Sequence, residues 1–202
     1  YIFFLTGNGL AQDFKGGVVK YQHIKRYDWM STFGKYGREV HEWIASLPKE
    51  RNMGQVLYFT EEKSLYEEDP SDDAPISEKL QGAIEKADYV QPPSPDLKKV
   101  YCDFDKNEIT RQMEFMTRNF LVTDQIDRLA WKLTNKKIKI QDYICFSAEL
   151  KKRDDNITAW FTSEIPVSAG PGEFYGLPGL ILAVEINGET AFLATSVELN
   201  LS

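Results

Sequence analysis

The sequence predicts a mainly β (α+β) protein, namely a curved antiparallel sheet, half-barrel or sandwich-like, with one or two packed helices. From residue 99 to residue 199, stretches that alternate apolar and polar side chains are separated by breaks roughly every eight to twelve residues, as in antiparallel meanders. Two stretches, 36–47 and 76–87, instead have the apolar spacing of helices. A sheet of this kind has one apolar side, which a helix, a second sheet or its own curvature must cover.

The chain is expected to contain one folded domain. Residues 1–11, YIFFLTGNGLA, are similar to the end of a secretory signal peptide with a cleavage point before Gln12. A first strand is the alternative, because residues 1–5 are β-prone. Residues 12–202 then form a single β-rich domain. No other stretch approaches the ~20 apolar residues that span a bilayer, so we expect no transmembrane segment in the mature chain.

The N-terminal half is predicted to contain a strand, a helix and a hairpin. The strand is predicted over residues 16–24, which begin with two glycines. The hairpin pairs residues 54–60 with residues 63–68. Between them, residues 36–47 place apolar side chains at i, i+3, i+4 and i+7 and end before a proline. We expect this helix to pack against the sheet through Trp43 and Ile44.

An insert is predicted at residues 70–98. It begins with an acidic loop punctuated by prolines, which has little apolar surface to bury. A helix with one apolar face follows at 76–87, and the prolines of QPPSPD end it. The insert therefore separates the first hairpin from the β-rich half.

Two predicted strands of the C-terminal half show how alternation assigns faces. In RLAWKLT, Leu129, Trp131 and Leu133 are expected to face the core. In YICFSAEL, residues 144, 146, 148 and 150, which begin with Ile144 and Phe146, are expected to share one face. Cys145 is expected on the opposite face, with residues 143, 147 and 149.

A short motif, Gly176-Leu177-Pro178-Gly179-Leu180, precedes the most apolar strand. Proline has the φ that the second position of a type II turn requires, and glycine readily takes the positive φ of the third. We therefore predict a turn, a strand over 180–186, a tight hairpin at Asn187-Gly188 and a last strand. Upstream, a segment without periodicity is either a rigid binding lip or a packed crossover that closes one end of the sheet. It is marked by Trp160, Pro166, Gly170 and Pro171.

Charge and motif content argue against several functions. The formal net charge is −7, with 31 acidic against 24 basic residues, which disfavours nucleic-acid binding. The sequence contains no nucleophile elbow, P-loop, dinucleotide fingerprint or zinc-protease motif, and we predict no cofactor and no metal site. The two histidines, His23 and His41, are expected in ordinary surface or core-edge positions.

The two cysteines, Cys102 and Cys145, allow two states. They form a disulfide in the exported protein if their strands are neighbours and both side chains point to the same face. Otherwise they are buried free thiols. Both alternatives are open on the sequence alone.

One part of the chain resembles a known family. The string ITAWFTSEIPVS at 157–168, then Gly170-Pro171, then GLPGLIL at 176–182 closely resemble the GLPGLI family of secreted proteins from Bacteroidota. The likeness is strong over 128–186, diffuse over 12–127 and absent over 70–98. It implies an exported protein of the periplasm or outer membrane, of a kind often encoded near TonB-dependent receptors. It implies no activity.

Three functions remain as hypotheses. The first is a non-enzymatic binding or accessory module for an envelope protein or peptide, such as a TonB-dependent receptor. The second is a periplasmic carrier of a lipid or other apolar ligand, and the third is a hydrolase of an unrecognised type. A filled core with an exposed aromatic rim favours the first, whereas an internal cavity favours the second. The residues expected to line such a cavity are Trp131, Phe146, Trp160 and Leu182.

Overall fold

The computed structural model describes residues 14–72, 74–91 and 94–201. The predicted signal-peptide remnant lies outside the described residues. The described residues form eleven strands, three α-helices and one 3₁₀ turn at Gly34–Tyr36. The strands are β1 Phe14–Arg26, β2 Glu50–Phe59, β3 Lys63–Glu68, β4 Asp96–Asp103, β5 Glu108–Phe115, β6 Arg118–Gln125, β7 Lys132–Ile140, β8 Tyr143–Lys152, β9 Asp155–Thr162, β10 Leu180–Ile186 and β11 Glu189–Leu201, and the helices are α1 Trp29–Phe33, α2 Glu39–Ala45 and α3 Glu78–Val90.

All eleven strands belong to one antiparallel sheet, which confirms the predicted mainly β class. The strand order is β6-β5-β4-β3-β2-β1-β11-β10-β9-β8-β7, so the first and last strands pair in the middle. Strands β1 to β6 form one meander that runs outward to one edge. Strands β7 to β11 form a second meander that runs from the other edge back to β1. The sheet is open, with β6 and β7 as its two edges.

The buried face of the sheet is built by residues that lie opposite one another on successive strands. Val19 lies opposite Leu57, Leu57 opposite Tyr66, and Tyr66 opposite Val100, so four neighbouring strands present one apolar row. These side chains are all buried and belong to a single core that extends through β11 to β8. We call this side of the sheet the core face.

The segment 163–179 between β9 and β10, which we call the crossover, covers the core face. Its backbone is anchored by three hydrogen bonds of 3.0 Å, from Gly176 to Ser168, from Leu180 to Ile165 and from Ile181 to Ala169. Its buried apolar side chains insert into the core cluster. They are Ile165, Val167, Ala169, Tyr175 and Leu177.

The helices form a second, separate apolar cluster. Ile44 is buried in it, and the ring of Trp43 lies 5.1 Å from the ring of Phe33 in α1. The cluster also contains Leu80 of α3. This helix lies between β3 and β4 in the sequence, while the two strands pair directly with each other in the sheet. The packing predicted for the 36–47 helix is therefore not found. Trp43 and Ile44 contact the other helices, because the segment 163–179 already covers the core face.

Two apolar side chains of the second meander are exposed near the edge of the sheet. Strand β7 begins only at Lys132, and Leu133, which was expected to face the core, is 58% exposed. In β8, Ile144 is 46% exposed while its neighbour Cys145 is fully buried. Leu133 lies opposite the buried Ala148, and its exposure follows from its place on the edge strand, because the β7–β8 ladder becomes irregular only after this pair, between Leu133 and Lys137.

In the part of the chain that the structure describes, no helix is both long enough and apolar enough to cross a membrane.

Candidate binding surface

The glycine of the Leu-Pro-Gly motif is required by a close backbone approach rather than by a local turn. The Leu180 N–H donates to Ile165 across the segment and does not close a type II turn. Gly179 has φ 157°, far from the value of about +80° that such a turn needs. A Cβ at Gly179 would lie 2.1 Å from the carbonyl oxygen of Thr162. The predicted type II turn is therefore wrong. Gly179, at the end of the segment 163–179, is instead the position where the backbone passes closest to Thr162 at the end of β9.

Most of the other motif residues are also buried. Gly170 packs so tightly that a Cβ would lie 2.5 Å from the carbonyl oxygen of Phe174, and the buried Pro171 accepts a hydrogen bond from the Phe174 N–H at 3.1 Å. Trp160 donates from Nε1 to Glu185 at 3.0 Å. Leu177 and Leu180 are in the core, while Pro166, Gly176 and Pro178 are exposed. The motif thus anchors a packed crossover, which was one of the two predicted alternatives.

The two cysteines are buried free thiols in this structure. Cys102 lies on β4 and Cys145 on β8, and strands β3, β2, β1, β11, β10 and β9 lie between them. The condition for the predicted disulfide, that the two strands are neighbours, is therefore not met. Burial raises the pKa of each thiol to about 11, so both are protonated at neutral pH.

An open cavity of about 490 Å³ lies at one end of the core face, and we call it the rim cavity. The end of β1, the start of β4 and the two hairpins β8–β9 and β10–β11 contribute to its wall, together with residues 172–174 of the crossover. Aromatic rings form its floor. His23 stacks on Phe192 with centroids 4.3 Å apart, and Phe174 meets the same ring edge-on at 6.0 Å.

The charged groups around the rim cavity are unequally paired. Arg26 forms an ion pair of 2.9 Å with Glu189, and Glu173 pairs with Arg111. Two further lysines line the cavity, Lys25 and Lys152. Within the described residues, neither has a carboxylate within 4.0 Å. The cavity therefore combines an apolar floor with uncompensated positive charge.

His23 is held neutral by this environment. Burial, with a smaller contribution from the positive charge of Lys25, lowers its pKa from 6.5 to about 4, and Asp96 opposes the shift. The other histidine, His41, lies on α2 and lines a different cavity next to Trp29. Over the ranges that the structure describes, no group of three or more His, Cys, Asp or Glu residues could hold a metal ion.

The residues that were expected to line an internal cavity instead fill space. Leu182 is fully buried and Trp160 nearly so. Trp131 donates from its indole Nε1 to the Tyr175 carbonyl at 2.8 Å, and the ring of Phe146 lies 6.2 Å from that of Phe161. None of the four lines the rim cavity.

The sequence did not single out the residues that form the rim cavity. Four of the cavity residues come from four separate stretches of the chain, and none of them belongs to a recognisable sequence motif. They are Lys25, Lys152, Phe174 and Phe192. Alternation in β1 does place His23 on the face of Val19. No local signal connects that strand with the crossover.

Comparisons with known proteins address the fold and a short part of the sequence. The sequence model of a family described as "Protein of unknown function (Porph_ging)" matches residues 149–183, which run from β8 through the crossover into β10. No curated protein matches. Two structures of a protein called PNGF-II, in space groups C2 and P21, superpose with TM-scores of 0.59 and 0.58 at 16% and 18% identity. Each match covers 93% of this chain but only 28% and 29% of the PNGF-II chain. At this identity the likeness establishes a shared fold, and the chain spans less than a third of the protein that it resembles.

Proposed function

We propose that this chain is a non-enzymatic binding module of an exported cell-envelope protein of the GLPGLI family, and that it binds its partner at the rim cavity. The observation that carries the proposal is the contrast between the middle of the core face and one of its ends. The crossover fills the middle of that face, whereas the rim cavity at its end is open to solvent. Family membership rests on the motif resemblance, which the match of 149–183 supports, and export rests on the resemblance alone.

The packing of the core face favours a binding module over a carrier. A carrier surrounds most of its ligand, and sites of this kind are usually enclosed apolar spaces of several hundred Å³. Here five side chains of the crossover are buried in the core cluster on that face of the sheet. The rim cavity is large enough for one or two apolar side chains of a partner.

The charge of the rim cavity indicates the chemistry of that partner. Its acidic groups are already paired, whereas Lys25, whose ammonium lies 5.9 Å from the centre of the Tyr27 ring, and Lys152 have no carboxylate partner among the described residues and can meet an anion. Aromatic side chains suit the floor of His23 and Phe192. We therefore propose an acidic, aromatic segment of an envelope protein as the ligand. A TonB-dependent receptor is the partner that the family resemblance suggests.

A peptide titration tests this proposal. The probe is a fluorescein-labelled peptide Ser-Asp-Phe-Asp-Phe-Ser, measured by fluorescence anisotropy against the 202-residue chain. We expect saturable binding that weakens at least ~10-fold in the double variant Lys25→Glu/Lys152→Glu, because attraction becomes repulsion. The control Lys79→Glu makes the same type of charge change on an exposed position of α3, away from the cavity, and should bind like the wild type.

Two outcomes would overturn the proposal. One is equal affinity for a peptide in which lysines replace both aspartates. The other is a stoichiometric lipid or other apolar molecule that is extracted from the purified protein and detected by mass spectrometry, which would favour the carrier.

A further inference from the structure

The two edges of the sheet differ sharply in composition. Edge strand β7 contains four exposed lysines, at positions 132, 136, 137 and 139. Charged residues of one sign are a common way to prevent an edge strand from pairing with another strand. Edge strand β6 lacks this protection. Its centre has three consecutive apolar residues, Phe120, Leu121 and Val122, which are 46%, 74% and 42% exposed.

The geometry of β6 suits further pairing. It forms eight regular pairs with β5 without any register shift, and all eight of its residues are exposed. Phe115 and Arg118 flank the two-residue turn of this hairpin, so they form a hydrogen-bonded pair. From there the pattern alternates. The backbone groups of residues 118, 120, 122 and 124 point to β5, and those of 119, 121, 123 and 125 point away from the sheet.

The charges of β6 are arranged symmetrically about its centre. Arg118 and Asp124 lie three residues before and three residues after Leu121, on the same face of the strand. Among the described residues, Arg118 has no carboxylate within 4.0 Å. Asp124 lies near Arg111, but that arginine is already paired with Glu173.

We propose that β6 pairs in antiparallel fashion with β6 of a second copy of this chain, around a two-fold axis at Leu121. In this register Leu121 lies opposite Leu121 of the second copy, and its outward backbone groups are the ones that the ladder needs. Phe120 lies opposite Val122, and Arg118 lies opposite Asp124, each twice. These last pairs fall at non-hydrogen-bonded positions, where side chains on neighbouring strands are closest.

A second copy is favoured over an unrelated strand because both the charges and the apolar residues of β6 are complementary to themselves. Any other register around a two-fold axis separates Arg118 from Asp124. The interface is isologous, as in most homodimers, and extends the sheet to twenty-two strands across two copies. Its small area predicts a weak, concentration-dependent dimer.

Charge reversal tests both the dimer and its register by sedimentation equilibrium from about 1 to 200 µM. In Arg118→Asp alone, aspartate would face Asp124 of the second copy, and in Asp124→Arg alone, arginine would face Arg118. Each variant should dimerise at least ~10-fold more weakly than the wild type, because two opposite-charge pairs become like-charge pairs. An equimolar mixture of the two variants should form a heterodimer of near wild-type affinity, since every pair is again of opposite charge. The double variant Arg118→Asp/Asp124→Arg should also recover.

The controls separate this interface from misfolding and from other contacts. The double variant contains both substitutions, so its recovery shows that neither prevents folding. Lys139→Asp, at the opposite edge, should dimerise like the wild type. A wild-type chain that stays monomeric throughout the range overturns the proposal. So does a dimer that both single variants retain, or a mixture that fails to associate.

Discussion

Replacing Gly179 with alanine should be among the most destabilising single-methyl additions in this protein. The new Cβ would lie 2.1 Å from the Thr162 carbonyl oxygen, 2.7 Å from its carbonyl carbon and 3.0 Å from the Ser163 Cα. These are backbone atoms of β9 and the crossover, so no side-chain rotation relieves the contact. The crossover must move away from β9, which threatens the Leu180 hydrogen bond to Ile165. Overpacking of this kind costs roughly 1–3 kcal/mol, and a lost hydrogen bond about 1 kcal/mol more.

Two other glycines provide matched controls for the same substitution. Gly176 has φ 85°, and a Cβ there would meet nothing within 4 Å, so Gly176→Ala should cost only the ~1–2 kcal/mol of a left-handed backbone. Gly82 lies inside α3 and is equally unobstructed, so Gly82→Ala should stabilise the protein by roughly 0.5–1 kcal/mol. Urea unfolding followed by tryptophan fluorescence measures all three free energies. The reasoning is refuted if Gly179→Ala costs no more than Gly176→Ala.

Three further predictions concern buried titratable and hydroxyl groups. The pKa of His23 is about 4 in the folded protein against 6.5 unfolded, so its contribution to stability is present above pH 6.5 and is lost as the pH falls towards 4. The wild type should therefore lose on the order of 3 kcal/mol more than His23→Gln over this range in urea titrations, and parallel curves would contradict the assignment. Tyr21 donates a buried hydrogen bond of 2.7 Å, whereas the buried hydroxyl of Tyr66 has no partner among the described residues. By calorimetry, Tyr21→Phe should cost about 1 kcal/mol and Tyr66→Phe should be neutral or stabilising; the same sign for both would count against this difference. Cys102 and Cys145 should resist a thiol reagent at pH 8 in the folded protein and react rapidly in denaturant, while a mass two daltons lower in non-reduced protein would reveal a disulfide.

The rim cavity and the β6 edge make separable predictions, because they lie on different parts of the molecule. Lys25 and Lys152 line the cavity at the ends of β1 and β8, whereas Arg118 and Asp124 lie on the outermost strand. Peptide binding without dimerisation, or dimerisation without peptide binding, would therefore remove one proposal and leave the other intact.

Local chemistry determined several elements that the sequence alone could predict. Asn187 and Gly188 both have positive φ in the structure, which is the backbone that a two-residue hairpin needs and that few other residue pairs adopt easily. The hairpin of β2 and β3 and the helix α3 also occur where alternation and helical spacing predict them. In each case the interactions that define the element lie within a few residues of one another.

Contacts between distant segments decided the rest. Alternation could show that the sheet has an apolar side, but not that residues 163–179 rather than the 36–47 helix cover it. Likewise, Gly179 could be recognised as special, but its reason is the Thr162 backbone, which only the folded chain brings to 2.1 Å from the Cβ position. The strand order separates the two cysteines and brings His23, Lys152 and Phe174 around one cavity. A single sequence carries short-range conformational preferences, whereas strand order and side-chain packing depend on the free energy of the whole chain, so these features were decided by the tertiary structure.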